Sequence, residues 1–188
     1  LKDVDCDIMF FPSESEIYPK NMSPNFNLDG LDDLMEGEFR PGHFQGVVQV
    51  VDRLFSIIQP DKAFFGQKDF QQLAVVRHMM KKLGHRTEVM ACPTIREASG
   101  LAMSSRNMLL SDTALPNASI IYKTLERIKA DYRSGSPIDI LIDLARTNIN
   151  GTNGFVVEYI EIVDPSSLNR ILVNEKKAAI ACVAAYVE

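Results

Sequence analysis

The sequence predicts an α/β fold in which part of a parallel sheet is followed by a smaller α+β unit. Short apolar runs at residues 61–65 and 86–91 are separated by a helical repeat over residues 69–83, which is the order of a parallel strand–helix–strand unit. After residue 93 the pattern changes to two helices and then two apolar strands. The first half therefore has the pattern of a partial Rossmann-like sheet, and the second half that of a separate small domain.

The elements of the first half follow from apolar periodicity and from the residues that end each run. Residues 4–11 are short and apolar, as in a strand that is covered on both faces. A polar, proline-containing loop follows, and residues 31–35 are predicted to form one helical turn. Between two prolines, residues 43–59 carry an apolar stripe at helical spacing, which predicts a stronger helix. Gly84 is the expected stop of the next helix.

The second half begins with a polar loop and continues with longer elements. Residues 112–134 have the apolar spacing of a helix, and a Gly-Ser-Pro break separates them from a second helix over residues 138–150. Two apolar runs at residues 156–163 and 178–187 are predicted strands. The predicted domains are residues 1–93 and 94–188.

Composition excludes several classes of protein. With 188 residues, 46% of them apolar, the chain is long enough to bury a core. A net charge of −5 argues against a general nucleic-acid binder. The longest apolar run is half the length that a bilayer span needs, and no leader sequence begins the chain. Three widely spaced cysteines, Cys6, Cys92 and Cys182, suit reduced, buried thiols, so we expect a cytoplasmic protein with no membrane partner.

The junction between the strand at residues 61–65 and the helix after it has the features of an anion site. A helix N-terminus presents unpaired N–H groups and favours negative charge. Glycine lets a phosphate approach the backbone, and a lysine adds a mobile positive charge. Two glutamines in the first helical turn place amide groups near whatever is bound. The residues are Gly66, Gln67, Lys68, Asp69, Gln71 and Gln72.

A second polar cluster lies downstream, where Ser104 and Ser105 precede Arg106. Two hydroxyls and a guanidinium suit a phosphate chain, because arginine grips phosphate oxygens through a fork of donors. Neither cluster matches the P-loop motif. Taken on spacing alone, the first cluster is equally well a capped strand–helix turn, and the second a polar loop.

Taken together, these motifs resemble the pantoate–β-alanine ligase family over nearly the whole chain, from about Asp5 to Val187. The resemblance is specific in the order and separation of its motifs, whereas any one motif alone is weak. It implies an adenylating, nucleotidyltransferase-type fold, with residues 1–93 as the second half of the Rossmann-like nucleotide-binding domain and residues 94–188 as the small α+β C-terminal domain. The motifs are Arg40-Pro41-Gly42-His43-Phe44, Phe65-Gly66-Gln67-Lys68-Asp69-Phe70-Gln71-Gln72 and Met103-Ser104-Ser105-Arg106-Asn107.

The resemblance also implies a reaction. ATP and pantoate would give pantoyl adenylate and pyrophosphate, and the amine of β-alanine would then displace AMP to give pantothenate, on the route to coenzyme A. The implied cofactors are ATP and Mg²⁺, with Mg²⁺ held mainly by phosphates and water. A homodimer is compatible with the resemblance, but the sequence does not decide the oligomeric state.

By the same resemblance, each motif receives a role. The ATP site would comprise Gly66, Gln67, Lys68, Asp69, Ile95, Met103, Ser104, Ser105 and Arg106, with the backbone of Ile95 at the adenine. Lys68, Ser104, Ser105 and Arg106 would be catalytic, and the segment around Ser104 would take the place of the KMSKS loop of related enzymes. The pantoate pocket would comprise Gln72, Arg40 and His43.

One family motif is absent from the sequence. Related enzymes carry a His-x-x-His pair near the N-terminus, whereas the histidines here are His43, His78 and His85, and no two are three apart. The chain also begins at Leu1 without Met. We therefore expect a part of the enzyme that is inactive alone. Two alternatives remain open: a non-catalytic nucleotide- or pantoate-binding fragment, and another nucleotidyltransferase of the same superfamily in which Gln72 has no role.

Overall fold

The computed structural model describes residues 5–18 and 25–187. Two layered units follow one another along the chain, each built on a two-stranded sheet. The helices are α1 (Glu14–Ile17), α2 (Glu36–Phe39), α3 (His43–Ile58), α4 (Phe70–Leu83), α5 (Ala114–Asn117), α6 (Ser119–Ser134) and α7 (Ile138–Asn150); the strands are β1 (Lys62–Gly66), β2 (Glu88–Cys92), β3 (Phe155–Val163) and β4 (Ile180–Val187); 3₁₀ turns cover Gln67–Asp69 and Ser105–Leu109.

The first unit is a strand–helix–strand arrangement. β1 and β2 pair in parallel, from Lys62 opposite Glu88 to Gly66 opposite Cys92. α3 and α4 pack together because each has an apolar stripe, and the stripes form one core with the inward residues of β1. α4 stops at Gly84, whose φ of 69° is the left-handed conformation that glycine adopts without strain. The buried core residues are Leu28, Phe44, Val48, Phe55, Val75, Val76, Met79 and Met80.

The second unit packs two helices against an antiparallel pair. β3 and β4 run from Phe155 opposite Val187 to Val163 opposite Ile180, with a register shift between Val157 and Tyr159. α6 and α7 cover one face of this pair and bury an apolar core with it. The predicted fold class, a parallel sheet with helices followed by a small α+β unit, is therefore confirmed. The buried core residues are Leu101, Ala118, Ile128, Ile138, Leu141, Ala145, Ile149, Phe155, Val157, Ile160 and Ile162.

The two units meet through a small apolar cluster. Met35 from the first unit packs with Val163 and Leu168 from the second, and none of the three is more than 2% exposed. The ring of Phe39 stacks on that of Tyr159, with centroids 5.8 Å apart. Around this cluster lie the half-buried residues Leu31, Leu34, Phe70, Ala74, Ile180 and Cys182. Burial of these side chains fixes how the second unit sits beside the start of α4.

A charged pair lies beside the apolar cluster. Arg170 contacts Glu161 of β3 at 2.7 Å and Glu38 of α2 at 3.5 Å, so one guanidinium bridges the two units. Burial raises the pKa of Glu161, while Arg170 opposes that shift. The pair therefore offsets the cost of placing a carboxylate against the sheet.

The buried amide of Gln71 ties the start of α4 to the segment that precedes α2. Its Nε2 donates to the carbonyl oxygens of Leu31 and Leu34, at 2.8 and 2.7 Å, and its Oε1 accepts from the N–H of Glu36 at 3.1 Å. These are backbone groups of an irregular segment that has no ladder of its own. The sequence predicts only that the Gln71 amide lies near a ligand, whereas the structure engages this amide in three hydrogen bonds to backbone.

The predicted strand at residues 4–11 does not form. Residue 4 lies outside the described residues, and residues 5–11 contain no strand. Ile8 and Phe11 are 85% and 87% exposed. A strand needs a neighbour that completes its hydrogen-bond ladder, and among the described residues no strand pairs with this segment.

Three smaller predictions also differ from the structure. Residues 31–35 form turns, and the helical turn comes later, at α2. The predicted helix over residues 112–134 is divided into α5 and α6, just after Pro116, which lacks a backbone donor. Residues 105–109 form a 3₁₀ turn where a loop is expected.

The cysteines are unpaired, as expected, but not all buried. Cys92 and Cys182 are half-buried, whereas Cys6 is exposed because the strand predicted around it is not formed. In the described part of the chain, no helix has both the length and the apolar character that a membrane crossing needs.

Replacing Gln71 by Ala should destabilise the fold by about 2–3 kcal/mol, because three part-buried backbone groups lose their partner. The free energy of urea unfolding measures this. Gln72→Ala, one residue along the same helix, is the matched control and should change that free energy by less than about 0.5 kcal/mol. Equal effects of the two replacements would show that the Gln71 hydrogen bonds do not anchor this segment.

Candidate functional site

A cleft of about 720 Å³ lies where the two units meet. Both units line it, through the turn before α4 and the start of α4, residues 35–44 around α2, the loop after β2, helix α6, and strands β3 and β4. Its charged and polar lining includes Glu36, Arg40, His43, Gln67, Lys68, Asp69, Gln72, Arg96, Ser104, Ser105, Arg106, Asn107 and Tyr159. The structure thus brings together most of the site residues predicted from the sequence.

The first predicted motif lies at the carboxyl end of β1. Gln67, Lys68 and Asp69 form a 3₁₀ turn, and all three are exposed at the mouth of the cleft. Asp69 occupies the N-cap of α4, yet its carboxylate makes no capping hydrogen bond. The simple explanation of Asp69 as a helix cap therefore fails, and the carboxylate is left facing the cleft. The N-terminal N–H groups of the 14-residue α4 point the same way.

The second predicted motif lines the same cleft as the first. Ser104 adopts an extended conformation and caps the 3₁₀ turn, since its Oγ accepts from the N–H of Arg106 at 3.2 Å. Ser105 and Arg106 are exposed. In the described residues neither Lys68 nor Arg106 takes part in an ion pair. Two exposed cations from different units therefore border one cavity.

Arg40 and His43 lie at another wall of the cleft. Arg40 is already paired with Glu36, at 2.8 Å, so an acidic ligand would compete with that carboxylate. Burial and then the neighbouring Arg40 lower the pKa of His43, whereas Glu36 and Asp69 partly oppose the shift. His43 is accordingly a neutral imidazole at pH 7, able to donate and accept a hydrogen bond.

The two neighbouring glutamines, Gln71 and Gln72, differ in their hydrogen-bond partners. Gln72 is half-buried and lines the cleft. Gln71 also reaches the lining, but its amide is held by backbone groups of residues 31–36. The distinction could not be read from the sequence, where the two are identical and adjacent.

The remaining predicted residues flank the cleft. In the described part of the chain, Gly66, Ile95 and Met103 are not among its lining residues. The side chain of Ile95 is 66% exposed, and its carbonyl oxygen accepts from the N–H of Met103 at 2.9 Å. The φ of Gly66 is an ordinary −70°, and a Cβ atom there would meet open space. The backbone therefore does not require glycine at this position, so only a ligand close to it would.

Several lining residues have no signal in the sequence. Tyr159 and the run from Ile180 to Ala185 come from the sheet of the second unit. Burial, and then Glu36, raise the pKa of Tyr159, which leaves a neutral phenol at the cleft. Burial, followed by Glu161, raises the pKa of Cys182 to about 11, so its thiol is unreactive at neutral pH. The sequence predicts these residues only as interior strand positions, because alternation along a strand does not tell which face adjoins another unit.

The electrostatics of the cleft favour an anionic ligand. Lys68, Arg40, Arg96 and Arg106 outnumber the carboxylates Glu36 and Asp69. Hydroxyl and helix N-terminal donors add to this, which is the combination that polyphosphates prefer. Over the described residues, no group of three or more His, Cys, Asp or Glu side chains could hold a metal ion.

Comparison with known proteins identifies one family along the whole chain. A family model described as "Pantoate-beta-alanine ligase" matches residues 1–188. The chain is 43% identical to the pantothenate synthetase of Cytophaga hutchinsonii, over all of this chain and 67% of that protein. It is 40% identical to that of Bacteroides thetaiotaomicron, over 91% of this chain and 60% of that protein. The chain thus spans about two thirds of the length of these relatives.

Solved structures give the same result. Pantothenate synthetase from Thermus thermophilus superposes with a TM-score of 0.90 at 36% identity, covering 99% of this chain and 67% of that one. The pantoate–β-alanine ligase of Francisella tularensis, in a complex described as containing beta-gamma ATP and beta-alanine, superposes with a TM-score of 0.71 at 29% identity. That match covers 99% of this chain and 66% of the other.

The lowered pKa of His43 makes a prediction about stability and pH. As the pH falls past the ordinary value of 6.5, the unfolded chain takes up this proton before the folded one does, so the free energy of unfolding decreases. His43→Gln should therefore lose less stability than the parent between about pH 8 and pH 5. Urea unfolding of both proteins at several pH values measures the difference. Parallel pH profiles would mean that the His43 environment does not disfavour its charge.

Proposed function

The chain belongs to the pantoate–β-alanine ligase family, and on that basis we propose that its cleft binds ATP and pantoate for an ATP-dependent condensation with β-alanine. The family is enzymatic. Because the chain spans about two thirds of the length of its relatives, the activity of the whole protein is part of the proposal.

One observation carries the proposal. Residues from two distant motifs border one cavity, and each motif contributes a cation, Lys68 or Arg106, that has no ion-pair partner in the described part of the chain. Two unpaired cations that border one cavity repel each other, and an anion bound there removes that repulsion. A triphosphate supplies negative charge along its length, so it can contact both cations at once.

The proposed chemistry has two steps. A carboxylate is a poor acyl donor, so a pantoate oxygen attacks the α-phosphorus of ATP, and the bond to the bridging oxygen breaks to release pyrophosphate. The amine of β-alanine then attacks the acyl carbon, loses a proton, and expels AMP. Lys68, Ser104, Ser105 and Arg106 would stabilise the charge that develops on the departing phosphates, a contribution of a few kcal/mol for each well-placed donor.

Mg²⁺ belongs to this proposal as part of the nucleotide substrate. Asp69 is the carboxylate at the phosphate end of the cleft, and it has no capping hydrogen bond to give up. The described residues offer no cluster of metal ligands, which fits an ion that is held mainly by phosphate oxygens and water.

Pantoate would lie deeper in the cleft, near Gln72 and His43. An amide donates and accepts, so Gln72 suits a substrate that carries both hydroxyls and a carboxylate. Neutral His43 adds a further donor without attracting phosphate away from Lys68. Arg40 would assist only where it leaves Glu36, so we assign it the weaker role of the three.

The adenine end of the site rests on the family resemblance. Ile95 would present its backbone to the base, and Met103 would lie beside it, since both flank the cleft where the phosphate loop begins. Gly66 would let the nucleotide approach the end of β1, because no side chain fills the space there.

The proposal also includes the cellular compartment, the oligomeric state and the domain boundaries. Three unpaired thiols suit a reducing compartment, so we assign the enzyme to the cytoplasm. A homodimer is compatible with this proposal, and the two domains would be residues 1–93 and 94–188. Sedimentation of the purified protein tests the assembly directly.

A second function class is favoured by one specific absence, that of a His-x-x-His motif in these 188 residues. A chain that binds the nucleotide but lacks this motif would act as a binding module. The two proposals share the ATP site and differ in turnover.

Replacing Lys68 or Arg106 by Ala should weaken binding of a non-hydrolysable ATP analogue about tenfold each, since each removes a charge-assisted contact to phosphate. Isothermal titration of the 188-residue chain measures this. Lys129→Ala removes an exposed cation that pairs with Glu126 on α6, and it should leave the affinity unchanged. Unchanged affinity in both cleft variants would remove these side chains from the nucleotide site.

The 188-residue chain alone should form pantothenate at least about 10²-fold more slowly than the complete enzymes of the family, because a missing electrostatic partner at the α-phosphate costs about that much. Coupled detection of AMP release, confirmed by mass spectrometry of the product, measures the rate. Turnover at the rate of a complete enzyme would refute the need for the His-x-x-His pair.

A further inference from the structure

Arg96 differs from the other cleft cations in how it is held. Its guanidinium carbon lies 4.3 Å from the centroid of the Tyr122 ring, and its Nη1 donates to the carbonyl oxygen of Gly100 at 3.1 Å. The residue is half-buried, whereas Lys68 and Arg106 are exposed. A guanidinium engaged with a ring face and a carbonyl at once is not free to follow a phosphate.

Tyr122 also contacts the backbone of the loop directly. Gly100 has a φ of +90°, and a Cβ atom at this position would lie 2.2 Å from Cδ1 of Tyr122. Glycine is therefore required here twice, once by the conformation and once by the ring. The ring of Tyr122, which belongs to helix α6, therefore contacts both the backbone of Gly100 and the guanidinium of Arg96.

The turn at residues 97–101 is joined by hydrogen bonds to the phosphate motif, which consists of Ser104, Ser105 and Arg106. Gly100 donates to the carbonyl oxygen of Glu97 at 2.8 Å, and Glu97 donates to that of Leu101 at 2.8 Å, which closes the turn. The Nδ2 of Asn107 then donates to Glu97 Oε1 at 2.9 Å and to the carbonyl oxygen of Ala102 at 3.0 Å. Asn107 lies within the same 3₁₀ turn as Ser105 and Arg106, so a shift of the first turn is transmitted to the second.

We propose that Arg96, Gly100 and Tyr122 form a clamp that sets the position of Ser104, Ser105 and Arg106 relative to α6. We assign them a positioning role that acts through the phosphate motif, and Arg96 and Tyr122 also line the cleft. The functional part of this inference rests on the proposed nucleotide site. The clamp removes conformational freedom from the loop before the nucleotide arrives, so less of the binding free energy is spent on ordering it.

Two variants of Tyr122 test the clamp. Tyr122→Phe keeps the ring that contacts Arg96 and Gly100, whereas Tyr122→Leu removes it. Amide hydrogen exchange of residues 96–107, read by mass spectrometry on the 188-residue chain without nucleotide, should be about tenfold faster in Tyr122→Leu and unchanged in Tyr122→Phe. Affinity for the non-hydrolysable ATP analogue, measured by titration, should follow the same order, with a loss of about tenfold for Tyr122→Leu alone.

A second pair of variants distinguishes a local loosening of the loop from a general loss of the fold. Arg96→Gln leaves the core of α6 intact and should accelerate exchange of residues 96–107 while residues 155–163 keep their protection. Arg127→Ala, which removes an exposed ion pair on the same helix, should leave both regions unchanged. Faster exchange in β3 as well as in the loop would mean general unfolding and would overturn the clamp.

The exchange and titration readouts separate this inference from the proposed function. Slow exchange of residues 96–107 in both Tyr122→Leu and Arg96→Gln overturns the clamp, whatever the nucleotide does. Fast exchange of residues 96–107 in these two variants, together with no analogue binding by the parent chain, supports the clamp as a structural device and counts against the nucleotide site. Fast exchange with unchanged analogue affinity refutes the positioning role.

Discussion

The buried amide of Gln71 is the interaction on which the cleft depends. Its three hydrogen bonds hold residues 31–36 against the start of α4. That segment has no ladder of its own, so without these bonds its carbonyl and N–H groups would be buried unpaired or released to solvent. Because α2 and the start of α3 follow directly, the same amide also sets where Arg40 and His43 stand. One residue outside the proposed chemistry therefore positions a whole wall of the site.

The apolar cluster of Met35, Val163 and Leu168 gives the cleft its other constraint. It joins the first unit to the sheet of the second, and its Met35 also lines the cavity. Arg170 bridges the same junction with two carboxylates. Because these contacts are buried or charged, the floor of the cleft is fixed on that side. The phosphate motif after β2 also lines the cavity, on a loop held by its own hydrogen bonds.

The cations of the cleft divide into two groups by their partners. Arg40 and Arg96 are satisfied within the protein, by Glu36 and by the ring of Tyr122. Lys68 and Arg106 have no ion-pair partner in the described part of the chain, and they are the two cations that would stabilise the departing phosphates. A sequence shows the charge of all four but not their partners, since a pairing such as that of Arg96 with Tyr122 joins residues that are distant along the chain. Such pairings decide whether an arginine binds a ligand or braces a loop.

The sequence by itself determined the elements whose signals are local. The periodicity of α3, α4 and α7, the stop at Gly84 and the strand–turn–helix around Lys68 were all predicted, because each depends on residues a few positions apart. The tertiary structure alone decided the rest. The strand at residues 4–11 failed because it lacks a neighbour among the described strands, and Gln71 and Gln72 separated because only one faces backbone donors and acceptors. Tyr159 joined the cleft through packing between units. Each of these outcomes depends on contacts between distant residues, which no local pattern encodes.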